Sequence, residues 1–150
     1  MNEIKGFRGE YQFLSNFYTC EIIYEDLVFT SVEAAFQAAK CEDYADRLIF
    51  QKLAASEAKK AGRRVKLRAD WEHVKIPIMS ELVRLKFVGN SELLNKLAVT
   101  GDATLVEANN WHDNTYGNCI CARCRHIQGQ NKLGLILMEL RRQYQNEGHL

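Results

Sequence analysis

Proline occurs once in this chain, at Pro77, and no internal repeat or low-complexity tract interrupts the 150 residues. Apolar runs are short, and none approaches the length needed to span a bilayer, so a membrane-spanning protein is not expected. An excess of charge is lacking too: 20 Lys and Arg against 19 Asp and Glu leave a formal net charge of +1. That balance argues against a protein that works by blanket neutralisation of phosphates. The opening Met-Asn-Glu-Ile-Lys-Gly has no apolar h-region, so a cytoplasmic location is expected. Five cysteines, an odd number without an export signal, argue against a disulfide framework.

What is present is the composition of one ordinary soluble domain over residues 1–150, with 47% hydrophobic and 26% charged residues. Locally the charge is uneven, because Lys59, Lys60, Arg63, Arg64, Lys66 and Arg68 form a dense basic run. Cys20–Tyr24 and Leu27–Thr30, rich in β-branched and aromatic residues and split by Glu25-Asp26, predict a hairpin. Phe13-Leu-Ser-Asn-Phe-Tyr18 has no clean period and reads as a loop. Thr30, followed three residues later by Glu33, predicts an N-cap and capping box for a helix to about Lys40. Ser56 is expected to cap a short helix ended by Gly62, and Pro77 to lie in the first turn of a longer one. On that helix Met79, Val83 and Phe87 share a face, and Gly89-Asn90 closes it. Ser91 starts a further helix, residues 103–107 form a short strand, and a last helix begins near Lys132. The fold class expected is α+β, a predominantly helical single domain with a small N-terminal hairpin or sheet.

Three groups of residues can carry chemistry. Glu33, Gln37 and Lys40 are spaced four and three apart and stack on one helical face, among Ala34, Ala35, Phe36, Ala38 and Ala39. Glu33 is either the capping-box partner of Thr30 or a general acid/base in an apolar setting. Lys40 is either a solvated helix-end lysine or, if desolvated, a nucleophile towards a sugar carbon. The second group is Asn109-Asn-Trp111-His-Asp113-Asn-Thr-Tyr-Gly117, where Trp111 and Tyr116 offer stacking faces and Asp113 a carboxylate for ribose hydroxyls. The competing reading is a surface loop pinned by a buried Trp. His112 reads as an exposed loop histidine, and Thr100-Gly-Asp102 as a plain turn. The third group, Cys119, Cys121, Cys124 and His126, offers four possible zinc ligands. Their spacing is tighter than in fingers or ribbons, so an ordinary reduced Cys-rich loop is expected, and no metal or cofactor is assigned.

In order and spacing these pieces resemble the NADAR superfamily, which includes N-glycosidases acting on riboflavin intermediates. The resemblance runs from Phe13 to Arg141. It is carried by Phe13-Leu-Ser-Asn-Phe-Tyr18, by Val32-Glu33 with Gln37 and Lys40, and by Gly62-Arg63 and Arg68-Ala-Asp-Trp71. Met79, Lys86-Phe87, Thr100-Gly-Asp102 and Leu105-Val-Glu107 continue it, as do Trp111-His-Asp113 with Tyr116-Gly117 and Gly129-Gln-Asn131-Lys-Leu-Gly134. The resemblance implies cleavage of the bond between a ribose and a nitrogenous base, in a riboflavin-pathway ribosylamino-pyrimidine or in ADP-ribosylated guanine. It implies an essential Glu33, a Schiff-base role for Lys40 and a Trp-x-Asp pocket motif at Trp111 and Asp113. Asn16, Gln37, Arg63, Arg68, Tyr116, Gly117 and Asn131 are the further substrate-binding candidates. Two departures bear on substrate preference: Ala34 stands where many relatives carry His, and Tyr116-Gly117 where many carry Trp-Gly.

The expected partner is therefore a small nucleotide-like molecule or ADP-ribosylated guanine in nucleic acid, with no membrane partner. The alternative is a non-catalytic module that binds ADP-ribose or nucleic acid, using a Cys/His zinc loop and the Lys59–Arg68 run. Near-neutral charge and the lack of aromatics within that run weigh against it.

Overall fold

A computed structural model of the chain describes residues 2–147. They pack as two compact units, one of Asn16–Gly89 and one that joins the chain up to Ser15 to the chain from Asn90 onward. The architecture is the expected α+β, mostly helical with small two-stranded sheets. Among the described residues no helix is long and apolar enough to cross a membrane.

The Asn16–Gly89 unit begins with the expected hairpin, β2 (Ile22–Tyr24) paired antiparallel with β3 (Leu27–Phe29). Glu25 and Asp26 make the two-residue turn with φ of 51° and 66°, the positive values that match the twist of the flanking strands. Ile22, Leu27 and Phe29 face inward while Ile23 and Val28 are exposed, which is the period-2 pattern of a half-buried hairpin. Helix α1 (Val32–Ala39) follows. Then come α2 (Tyr44–Arg47), a 3₁₀ segment (Leu48–Lys52), α3 (Ala55–Ala61) and α4 (Trp71–Val88). Helix α1 packs on α3 and α4, and the Phe36 and Trp71 rings meet at 5.0 Å between centroids.

The starts of α3 and α4 differ from the sequence expectation. Ser56 lies inside α3, whose N-cap is Ala54, with the Ala54 amide donating to Glu57 Oε1 at 2.9 Å. Pro77 lies in the interior of α4, which begins six residues before it at Trp71. Burial of Trp71 against Phe36 recruits those extra residues, outweighing the backbone bond that proline cannot donate. The face holding Met79, Val83 and Phe87 is buried as expected, and Leu82 and Lys86 share it.

In the other unit, β1 (Glu3–Lys5) pairs in parallel with β4 (Thr104–Val106), and β5 (Ala108–Asn109) pairs in parallel with β6 (Asn118–Cys119). A 3₁₀ turn over Gly9–Leu14 replaces part of the expected loop and buries Phe13 and Leu14. Helix α5 (Ser91–Val99) starts at the Asn90 cap, whose side chain accepts from the Leu93 amide at 3.2 Å. The Thr100-Gly-Asp102 turn is structural: Gly101 has φ 68°, and Thr100 Oγ1 accepts from the buried Arg141 at 2.9 Å. Helix α6 (Lys132–Glu147) lays Leu133, Leu137 and Leu140 inward against β4 and α5.

Helix α6 crosses β4 so closely that a Cβ at Gly134 would collide with the Leu105 carbonyl oxygen and the Asn131 amide. Gly134→Ala is therefore expected to destabilise the fold by about 1–3 kcal/mol, read from the urea midpoint. Lys86 is 3% exposed, and burial pulls its pKa from 10.5 down to about 8. Between those values the unfolded chain binds the extra proton, so this residue's contribution to stability rises with pH. The stability of wild type relative to Lys86→Met should climb by up to roughly 3 kcal/mol from pH 8 to 10.5. A flat difference would show that burial does not lower the Lys86 pKa.

Candidate active site

Helix α1 is buried along its whole length, so its two polar side chains need internal partners. Its cap is Ser31 and not Thr30: Ser31 Oγ accepts from the Ala34 amide at 3.0 Å, while the Thr30 hydroxyl donates to the Leu53 carbonyl at 2.8 Å. One residue of shift removes Glu33 from the capping-box position. Its own amide instead donates to the Asn16 carbonyl at 3.0 Å. Its carboxylate Oε2 accepts from Gln37 Nε2 at 2.6 Å, the short length of a charge-assisted bond. Glu33 is 8% exposed and Gln37 6%. That bond orients the Gln37 amide and leaves its Oε1 buried with no hydrogen-bond donor among the described residues. Gly62 makes the room, since a Cβ there would collide with that oxygen.

Lys40 ends α1 half-buried. Desolvation holds its pKa below the ordinary lysine value; the Glu33 carboxylate opposes that shift, and the Arg63 and Lys75 charges add to it. The acid and the amine thus lie within each other's field, with the Arg63 guanidinium also in reach. Arg68 is differently employed. It forms a two-point pair with Asp70, at 2.6 and 3.1 Å, and its Nη1 donates to the Ala39 carbonyl at 3.4 Å. Its amide donates to the Lys40 carbonyl at 2.8 Å, so Arg68 closes the C-terminus of α1. Asn16 is buried with Nδ2 donating to Met79 Sδ at 3.3 Å.

Lys86 lies outside the three residue groups that the sequence marks as able to carry chemistry. Its ammonium lies 5.3 Å from the Tyr18 ring centroid and 5.1 Å from that of Phe87. The signal was present in the sequence: 79, 82, 83, 86 and 87 form one helical stripe, and a lysine within an apolar stripe is a buried lysine.

In the other unit the residues around Trp111 are organised by Asn109, which is 1% exposed. Asn109 Oδ1 accepts from the Trp111 and Asp113 amides at 3.2 and 3.1 Å. Its Nδ2 donates to the Asp113 carbonyl at 2.8 Å and to Glu107 Oε2 at 3.1 Å. Asp113 Oδ1 in turn accepts from the Thr115 and Tyr116 amides at 3.0 and 2.9 Å. Trp111 is 51% exposed, which excludes the buried-pin reading of this loop. Gly117 is required by contact, because a Cβ would strike Glu107. Asn131, with φ 51°, bridges β4: Oδ1 accepts from the Glu107 amide and Nδ2 donates to the Leu105 carbonyl, both at 2.9 Å. Its amide group is therefore committed to the fold.

The cysteine loop also differs from expectation. His126 stands aside, its Nε2 accepting from Arg125 Nε at 3.4 Å, and His112 joins Cys119, Cys121 and Cys124 in its place.

The NADAR domain family model matches residues 5–145. The N-glycosidase YbiA of Escherichia coli is 34% identical over 137 residues, covering 89% of this chain and 82% of the relative. An N-glycosidase of Nostoc punctiforme is 34% identical over 142 residues, covering 91% of this chain and 87% of the relative. A riboflavin biosynthesis protein of Vibrio vulnificus is also 34% identical over 142 residues, but the match covers 89% of this chain and only 35% of that longer protein. The solution structure of Escherichia coli YbiA superposes with a TM-score of 0.84 at 32% identity, covering 98% of this chain and 87% of that one. A match across nearly the whole length, in sequence and in fold, makes this chain a member of the NADAR domain family.

Proposed function

We propose that this chain is an N-glycosidase that hydrolyses the bond between a ribose, carried as ribose phosphate or ADP-ribose, and a nitrogenous base. The observation that carries the reading is the buried Glu33–Gln37 pair with Lys40 in its field. An undonated buried oxygen on Gln37 costs about 1–3 kcal/mol, and a sugar hydroxyl is the type of donor that relieves it. The names of the relatives, N-glycosidase and riboflavin biosynthesis protein, support the same class of reaction. Ribosylamino-pyrimidines of riboflavin synthesis and ADP-ribosylated guanine both have the required bond.

In the proposed reaction Glu33 protonates the departing base as the bond from C1 to nitrogen breaks. The neutral Lys40 amine bonds to C1 and gives up a proton, which the Glu33 carboxylate passes to the ring oxygen as the bond from C1 to that oxygen breaks, leaving an imine on the opened sugar. Water then hydrolyses the imine, releasing the sugar and returning the amine, so the sum is riboside plus water to sugar plus base. Arg63 is the phosphate partner, whereas Arg68 would have to share a guanidinium already paired with Asp70. In the other unit Asp113 offers Oδ2 to a hydroxyl, since Oδ1 is occupied by two amides. Trp111 and Tyr116 of that unit offer stacking faces to a planar group. Asn16 shapes the backbone at Glu33, and Gly117 and Asn131 shape that of the unit holding Trp111.

Base release from a panel of N-ribosides, followed by mass, tests the reading. Glu33→Gln is expected to lose about 10²–10⁴-fold in turnover; equal release by wild type and variant would refute the role of Glu33. Borohydride should trap a sugar adduct on Lys40 during turnover. The imine route needs neutral Lys40, so the acid limb of kcat reports its pKa. Lys75→Gln removes one charge that holds that pKa down, and the limb should move to higher pH. An unmoved limb without a trapped adduct would leave direct water attack, guided by Glu33, as the route.

A further inference from the structure

We propose that His112, Cys119, Cys121 and Cys124 form a structural zinc site that fixes the backbone on either side of His112. The four candidate ligand atoms all lie within 4.8 Å of one another. His112 Nδ1 is 3.3 Å from Cys124 Sγ, 3.5 Å from Cys121 Sγ and 3.9 Å from Cys119 Sγ. A tetrahedral zinc ion with Zn–S of about 2.3 Å and Zn–N of about 2.0–2.1 Å spaces nitrogen from sulfur by about 3.6 Å. The three distances bracket that value. Three sulfurs and one imidazole in a tetrahedral set are the donors zinc selects.

The topology removes the objection that one tight loop cannot surround an ion. Cys119 ends β6, which is paired to β5 in the register Asn109↔Cys119. The Cys121-Ala-Arg-Cys124 turn supplies two sulfurs, its Cys124 amide donating to the Cys121 carbonyl at 3.1 Å. The fourth ligand arrives from before β6, where His112 has φ 70°. Ligands therefore approach from two separated segments, as in other structural zinc sites. Cys119 and Cys124 are buried and Cys121 partly so, with His112 at the solvent side. Among the cysteines, Cys20 and Cys41 belong to the Asn16–Gly89 unit and take no part.

Trp111 and Asp113 are the immediate neighbours of His112, so a metal bond to its imidazole would restrain both. The site stands whether or not the chain cleaves N-ribosides, because its primary readouts are metal content and spectra. Full-length protein, reduced and prepared without chelator, should contain equimolar zinc by mass spectrometry. Replacement by Co(II) should give the intense visible bands of a tetrahedral ion and a near-ultraviolet thiolate charge-transfer band. His126→Ala should retain both signals. His112→Ala and Cys124→Ser should lose affinity by more than the roughly 10–100-fold that removal of an outer partner costs, with helicity checked by circular dichroism. If a variant fails to fold, the wild-type Co(II) titration still decides. A reduced wild-type protein without the charge-transfer band would overturn the proposal, as would folded Cys124→Ser protein with undiminished zinc or a requirement for His126 instead of His112.

Discussion

Burial of α1 is the constraint on which the rest turns. Eight consecutive residues leave water together, and six of them are apolar. The remaining two, Glu33 and Gln37, need polar partners inside the fold, because burial takes them out of solvent. The i,i+4 geometry lets them share one strong bond, and Asn16 takes up the Glu33 amide, one of the donors that the start of a helix leaves open. Gly62 follows from the same constraint, since α3 must approach close enough to cover α1 while leaving space for the Gln37 oxygen. A carboxylate, an amide and a depressed lysine in one place are thus a by-product of packing that a catalyst can exploit.

The other unit solves a different problem. Its strands are two or three residues long, too short for backbone ladders alone to hold the loop between β5 and β6. Asparagine side chains do that work as surrogate peptide groups. Asn109 and Asn131 each offer one donor and one acceptor to main-chain atoms, and Asn114 Oδ1 accepts from the Cys119 amide at 2.9 Å. Glycines 117, 129 and 134 stand where backbones touch. A loop ordered in this way can present an exposed indole beside a carboxylate without burying either.

Much of this was legible from local pattern. The hairpin announced itself through alternation around Glu25-Asp26, α6 through the spacing of Leu133, Leu137 and Leu140, and the α1 face through Glu33, Gln37 and Lys40. What local pattern misplaced were helix starts. Thr30 and Ser31 are both competent caps, and the choice fell to Ser31 because the Thr30 hydroxyl is used by Leu53. Pro77 looks like a helix opener, yet Trp71 gains more by packing on Phe36 than the helix loses at the proline. Arg68 and Asn131 are substrate-binding candidates by sequence, yet long-range partners, Ala39 and the β4 backbone, claim part of them.

The sequence by itself determined the fold class, the helical face that unites acid, amide and amine, and the loop that pairs an indole with a carboxylate, because these depend on periods of two and 3.6 residues and on neighbours in the chain. Tertiary structure decided which polar groups are buried, which arginine is committed, and that His112 instead of His126 meets the cysteines. Those outcomes rest on side-chain direction and on pairing between distant segments, such as β5 with β6, and spacing along the chain carries no record of either.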